Sequence, residues 1–139
     1  TISYEHTKDI RYLDAAKRIA HYVISCVGRT GWLPLCDFRS PAQPIIYDST
    51  AGAIIASGLI ELSRNVSELE RDIYETAAVQ ILKAMEEKFC CWDLDKDSIL
   101  QMGTLKYQGE QERHIPIIYG DYFFIEAIHK LAGNSFRIW

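Results

Sequence analysis

The feature that most constrains the fold is an almost uncharged run of small and apolar residues from Ala51 to Leu62, in which Glu61 is the only charge. Asp48 lies just before it and can cap a helix, so the run predicts a helix that begins at residue 49 or 50 and ends at about residue 63. A helix that is small or apolar around its whole circumference has to be buried on every side. The sequence therefore predicts an inner helix surrounded by other elements.

Three more helices are predicted from apolar residues that recur every three or four positions. The segments 8–27 and 67–89 each carry one apolar face and a charged opposite face, which is typical of outer helices. The segment 120–131 is largely apolar and predicts a second inner helix. The order outer, inner, outer, inner is typical of helical hairpins stacked around a central axis, so we expect an all-α protein. Two hairpins cannot close such a ring.

Two long connections join these helices. Residues 29–48 contain three of the four prolines of the chain and predict a loop that is packed down by aromatic side chains. Residues 90–119 show no helical period, and we expect a loop there with one short strand pair, around 105–107 and 114–118. Loops of this length in a small domain are often functional, so both are candidates for lining a site.

Composition excludes several classes of protein. With 139 residues, of which 48% are apolar and 24% charged, the chain is expected to form one domain, 1–139. A formal net charge of -4 argues against a nucleic-acid or anionic-membrane partner. No apolar run reaches the ~20 residues that span a bilayer, and the chain does not open on a signal peptide, so we expect a cytoplasmic protein. The four cysteines and four histidines lack metal-ligand spacing, and we expect buried free thiols and neither a metal site nor a disulfide framework.

Three segments carry a resemblance to a known family: WLPLCDF at 32–38, YDSTAGAIIASGLIEL at 47–62 and IYGDYFFIEA at 118–127. Their order and spacing, which cover nearly the whole chain, resemble the C-terminal part of the unsaturated glucuronyl hydrolases, glycoside hydrolase family 88. The resemblance implies stacked helical hairpins that form part of an (α/α)6 six-hairpin barrel. Residues 1–139 would then correspond to the C-terminal third of such a glycosidase.

The activity that the resemblance implies is removal of a 4,5-unsaturated uronic acid from oligosaccharides made by polysaccharide lyases. In this family an aspartate is thought to protonate the enol-ether double bond while it activates water, and no metal or organic cofactor is implied. Both important aspartates of the family belong to its N-terminal half, so they have no counterpart here and we assign no catalytic residue. We interpret Asp37 as ordering its loop and Asp48 as a helix cap, and expect the chain by itself to be inactive.

Two candidate substrate-binding residues follow from the resemblance, Gly120 at the start of the last helix and Tyr107 upstream of it. A glycine at a helix start would let a ligand approach exposed N–H groups, and a tyrosine can stack on a sugar. Simple helix initiation for Gly120 and loop packing for Tyr107 remain open. Arg113 and His114 lie near the same helix start, where they could meet a substrate carboxylate or sulfate, although solvated loop charge is the favoured explanation.

Two alternatives to this function stay open. The chain could be a non-catalytic helical module that binds a partner through the faces of an incomplete ring, which would explain why no acid–base pair is found. It could also belong to a hydrolase of unsaturated rhamnogalacturonyl disaccharides, which shares the barrel. If the chain is part of a ring of hairpins, its inner helices would leave apolar faces open where the missing hairpins belong, so we expect it to self-associate or to be only marginally stable.

Overall fold

A computed structural model of the chain describes residues 1–134. The elements are five α-helices and one short 3-10 turn: α1 Ile2–Thr7, α2 Ile10–Val27, α3 Ser49–Ser63, α4 Glu68–Phe89, the turn Glu110–Glu112 and α5 Ile118–Leu131. Residues 1–134 contain no strand, only isolated bridges between Leu35 and Tyr47, Cys90 and Leu100, and Gly103 and Ile115. The all-α class predicted from the sequence is confirmed.

The first long helix starts later than predicted and is preceded by a separate short helix. A separate short helix, α1, precedes it and ends at Lys8, whose φ of 57° places it in the left-handed region. The long helix α2 then begins at Ile10 rather than at residue 8, because the Asp9 carboxylate caps it by accepting the Arg11 N–H at 3.0 Å. The predicted helix over 8–27 thus starts two residues too early, and the short helix α1 before it was not predicted.

The predicted strand pair at 105–107 and 114–118 is wrong. Gly103 and Ile115 exchange two backbone hydrogen bonds of 2.8 Å, but the ladder does not continue beyond them. One further backbone bond, from the Leu105 N–H to the Glu112 carbonyl at 2.9 Å, closes the loop around the 3-10 turn. The polar groups near Gly103 bind the start of α3 instead of a second strand.

Helix α3 is the centre of the fold and packs along both α4 and α5. Ten of its fifteen residues are buried, but Ile54 is 44% exposed, so the burial on every side predicted for this helix is incomplete. Gly52 shows how tightly it is held, since a β-carbon there would lie 2.5 Å from Cγ of Pro34 and 2.6 Å from Sδ of Met85. The helix α4 buries one face against it, formed by residues such as Tyr74, Ile81 and Met85.

The helix α5 is buried on one side only. Phe124 and Ala127 face the core, whereas Ile118, Ile125 and Ile128 are 72%, 44% and 45% exposed. An apolar helix with one covered and one open face fits a ring of hairpins that continues beyond these elements. No helix within residues 1–134 has the length and apolar character needed to cross a bilayer.

Candidate functional site: the junction of two helix starts

The starts of α3 and α5 meet, and Gly120 lies at their contact. Gly120 is in the first turn of α5, as predicted, and a β-carbon on it would lie 3.2 Å from Oγ1 of Thr50 and 3.3 Å from Cδ2 of Leu100. Its N–H donates to the Ile117 carbonyl at 2.8 Å. The sequence predicts that the backbone of Gly120 is open to a ligand, but in the structure it packs closely against Thr50 and Leu100. Glycine permits this contact because it lacks a side chain.

Gly103 meets the same threonine from the loop. A β-carbon on Gly103 would lie 2.9 Å from Oγ1 of Thr50 and 2.9 Å from the Ile115 carbonyl oxygen. The Thr50 hydroxyl is buried between the two glycines and has no hydrogen-bond partner among residues 1–134. Sequence reasoning missed Gly103 and the role of Thr50, because nothing local to either residue shows that they share a contact with Gly120.

Asp48 connects the loop at Thr104 to the start of α3 through hydrogen bonds. One of its carboxylate oxygens, Oδ1, accepts the N–H groups of Thr50 at 3.1 Å, Ala51 at 3.3 Å and Thr104 at 3.3 Å. Burial raises the pKa of the Asp48 carboxyl above its usual value, although these hydrogen bonds act in the opposite direction. The capping role predicted for Asp48 is confirmed, and the bond to Thr104 extends it to a second segment.

A ring of hydrogen bonds forms beside this cap. The Tyr47 N–H donates to Nε2 of His114 at 3.0 Å, the His114 N–H donates to Oγ1 of Thr104 at 3.4 Å, and the Thr104 hydroxyl donates to the Tyr47 carbonyl at 2.6 Å. The ring ties residues 104 and 114 to the residue just before the helix cap. His114 is thus bound to its own protein, a role that its position in a loop did not reveal.

Tyr107 lies on the part of the loop that this ring holds in place. It is half-buried, its carbonyl accepts Nε–H of Arg113 at 2.6 Å, and the Arg113 guanidinium lies 5.7 Å from the centre of its ring. A cation over an aromatic face is an attractive pair that also fixes the ring. The structure anchors Tyr107 on Arg113, while Gly120 packs against Thr50 and Leu100.

A second polar cluster lies between α3 and α5, away from their starts. Lys130 donates to Ser57 at 2.9 Å and pairs with Glu126 at 3.2 Å and Glu61 at 3.3 Å; Ser57 also bonds Glu126. These groups border a cavity of about 310 Å³ that α1 covers on one side. The sequence signal that could have found it is Glu61, a lone charge in an apolar helix, together with Glu126 and Lys130 one helical turn apart.

The described residues offer no other obvious chemistry. Within residues 1–134 no group of three or more histidine, cysteine, aspartate or glutamate side chains could hold a metal ion. The four cysteines are free and half-buried, less buried than predicted. Burial raises the pKa of the Cys90 thiol to about 11, which keeps it protonated and unreactive at neutral pH. Asp121 is buried and accepts the Leu100 N–H at 2.7 Å, a structural bond.

The structure shows part of an (α/α)6 barrel, in which α3 and α5 are inner helices and α4 is an outer helix. Comparison with solved structures confirms this fold. The structure of unsaturated glucuronyl hydrolase from Bacillus sp. GL1, described as responsible for the degradation of glycosaminoglycan, matches with a TM-score of 0.85 and 27% sequence identity. The match covers 92% of this chain and 35% of that one.

Sequence comparison leads to the same family. The unsaturated glucuronyl hydrolase of Bacillus sp. (strain GL1) is 29% identical over 131 residues, which are 91% of this chain and 34% of the relative. That of Formosa agariphila is 29% identical over 135 residues, 94% of this chain and 33% of the relative. No family model matches the chain. The chain thus resembles the unsaturated glucuronyl hydrolases, as its motifs predicted, and spans about a third of the length of these relatives.

Proposed function

We propose that this chain is the C-terminal part of a glycoside hydrolase that removes 4,5-unsaturated uronic acid from lyase-generated oligosaccharides. The observation that carries the proposal is similarity to unsaturated glucuronyl hydrolases along 91–94% of the chain, joined to a TM-score of 0.85 with a solved member. Residues 1–139 act as one domain, a sector of the barrel wall.

The role of this sector is to shape the pocket rather than to perform the chemistry. In this proposal the acid that protonates the enol ether comes from outside these residues, and Asp48 acts as a helix cap whose Oδ1 holds three N–H groups. In this proposal Gly120 sets the spacing of the helix starts at the pocket wall. Tyr107, held by Arg113, offers an aromatic face and a hydroxyl to the sugar.

Two assays test the proposal. The double bond of unsaturated disaccharides absorbs ultraviolet light, so its loss reports hydration directly. The chain alone is expected to show no turnover, because in this proposal the general acid is supplied from outside it. Saturable loss of absorbance with the pure chain would show that the acid lies within it and would refute this division of roles.

The positive test is an exchange of parts. The matching third of the Bacillus sp. (strain GL1) enzyme is replaced by this chain, and hydrolysis of unsaturated disaccharides is measured. We expect a folded, active hybrid in which Tyr107→Ala lowers kcat/KM at least tenfold, while Tyr119→Ala, a change of the same type at an exposed tyrosine of α5, serves as the matched control. A folded hybrid without activity would count against the proposal.

The open faces of α5 lead to a second expectation. We propose that the isolated chain self-associates or is only marginally stable, because Ile118, Ile125 and Ile128 would be covered by neighbouring hairpins in a complete barrel. Light scattering at several concentrations measures this. A monodisperse monomer with a high melting temperature would favour the alternative, a self-contained interaction module.

A further inference from the structure

The groove between α2 and α3 is an open apolar surface. It encloses about 230 Å³, and its walls include Ile19 and Val23 of α2 and Ile55 and Gly58 of α3. Within residues 1–134, Thr1 is the only polar residue that lines it. Ile19 is 65% exposed there. An exposed apolar groove of this kind is a typical contact site for another helix.

The short helix α1 leads into this groove. At its end, the side-chain amide of Asn65, which follows α3, donates to a carboxylate oxygen of Glu5 at 2.7 Å. Its beginning lies further back along α3, because Thr1 and Gly58 line both the groove and the cavity of about 310 Å³ beside Lys130. The helix α1 therefore runs in the same direction as α3, and its first residue faces the groove.

Gly58 leaves room for a close approach to α3. It is exposed, and a β-carbon on it would meet no atom of residues 1–134 within 4 Å. Glycine inside a helix is less stable than alanine by about 0.8–1.0 kcal/mol, and the described residues show no contact that needs this glycine. Close approach of another backbone is a common use of glycine, so Gly58 marks the place where a further helix would pack.

We propose that α1 is the last part of a third inner helix, and that the segment preceding residue 1 in the parent hydrolase continues this helix along the groove. The inference rests on the proposed function, in which the chain is one part of a longer hydrolase. At 1.5 Å per residue, about eight residues cover the distance along α3 from Gly58 back to Thr50. Added to α1, they form a helix about as long as α5, which has 14 residues. The third helix then begins level with the starts of α3 and α5.

The groove defines the chemistry of the helix that fills it. One face has to be apolar, because it covers Ile19, Val23 and Ile55. The adjacent face accepts polar side chains, since Lys130 and Ser57 border the cavity on that side. A helix from a second copy of the chain fits less well, because α1 already occupies one end of the groove, whereas a continuation of α1 needs no break.

The first experiment adds the preceding segment to the chain. The residues of the Bacillus sp. (strain GL1) enzyme that align directly upstream of Thr1, about eight in number, are joined to it, and a Gly–Ser extension of equal length is the control. Labelling by iodoacetamide is measured at Gly58→Cys and, as a matched control, at Gln80→Cys on the exposed face of α4. We expect the Bacillus extension to slow labelling of Gly58→Cys by about tenfold or more and to leave Gln80→Cys unchanged. Equal labelling with the two extensions would overturn the inference.

The second experiment fills the groove with a larger side chain. Gly58→Leu should raise the melting temperature of the unextended chain, because leucine is the better helix former and the space around residue 58 is open. In the chain with the Bacillus extension, Gly58→Leu should lower the melting temperature, because the leucine lies where the added helix packs. An equal rise in both chains would show that the groove stays open and would contradict the proposal.

The remaining outcomes separate the occupants of the groove. If Gly58→Cys of the unextended chain becomes protected as the protein concentration rises, a second copy fills the groove and the proposal is wrong. Neither experiment depends on enzymatic activity. An active hybrid enzyme whose groove stays open would therefore refute this inference alone, whereas an inactive hybrid with a protected Gly58→Cys would count against the proposed function and not against the third helix.

Discussion

A single methyl group at Gly120 tests how the two helix starts pack. Alanine is favoured over glycine in a helix by up to about 1 kcal/mol. At Gly120 the new β-carbon would lie 3.2 Å from Oγ1 of Thr50 and 3.3 Å from Cδ2 of Leu100. Both groups are buried and cannot swing into solvent, and overpacking of this kind costs about 1–3 kcal/mol. The net expectation for Gly120→Ala is a loss of about 1 kcal/mol, or about 4 °C in melting temperature for a chain of this size.

Two other glycines supply the controls. Gly58 is exposed on α3 and a β-carbon there would meet nothing within 4 Å, so Gly58→Ala should raise the melting temperature. Gly52→Ala should lower it most, because its β-carbon would lie 2.5 Å from Pro34. Thermal unfolding followed by circular dichroism ranks the three variants. If Gly120→Ala stabilises the chain as much as Gly58→Ala does, the close contact with Thr50 is wrong.

The same variant then separates packing from sugar binding in the hybrid enzyme. The methyl group points at Thr50, so a junction that lies away from the pocket predicts unchanged kcat/KM at temperatures where the hybrid is folded. A pocket role predicts a loss of kcat/KM of tenfold or more, about 1.4 kcal/mol of transition-state binding. We expect the loss, because a shifted helix start would move the pocket wall. Unchanged kinetics would remove Gly120 from the site.

Three other changes have defined outcomes. Lys130→Met leaves Glu61 and Glu126 without their shared cation and should cost about 3–5 kcal/mol in urea unfolding, whereas Lys83→Met, at an exposed position of α4, should change stability by less than about 0.5 kcal/mol. Burial raises the pKa of Asp48, so the stability linked to its protonation is present at low pH and lost as the pH rises through that pKa. Asp48→Asn, which keeps the capping oxygen, should therefore unfold at higher urea than the wild type at pH 7, and the difference should vanish toward pH 4. The Cys90 thiol, with a pKa of about 11, should react with iodoacetamide at pH 8 much more slowly than that of Cys91, as mass spectrometry of single-cysteine replacements would show.

The sequence predicted the helices best where one physical requirement dominates. The almost uncharged run in α3 favours burial, and the structure packs it against α4 and α5, although Ile54 stays 44% exposed. The start of α2 was misplaced because Lys8 interrupts the helix by its backbone conformation, which leaves the apolar period intact. The strand pair failed because alternation at 105–107 and 114–118 does not reveal that the nearby Thr104 binds Tyr47 and Asp48 instead of a partner strand.

The site was predicted less completely, since its contacts join residues far apart in the chain. Gly120 was found from its position at a helix start, but its neighbours Thr50 and Gly103 carry no local signal of that contact. His114 was considered only as a loop cation. Its acceptor role depends on the direction of the Tyr47 N–H, a property of the folded backbone that no spacing rule contains.

The pairing of α3 with α5 is fixed at two places, and this explains why an inner helix retains a charge. Apolar faces pack without strict direction, so two largely apolar helices could slide along each other. Near their starts the contact of Gly120 with Thr50 sets the separation. Further along, Lys130 pairs with Glu61 at 3.3 Å, and a displaced register would break this buried ion pair. The geometry of the two helix starts is therefore set by contacts within residues 1–134.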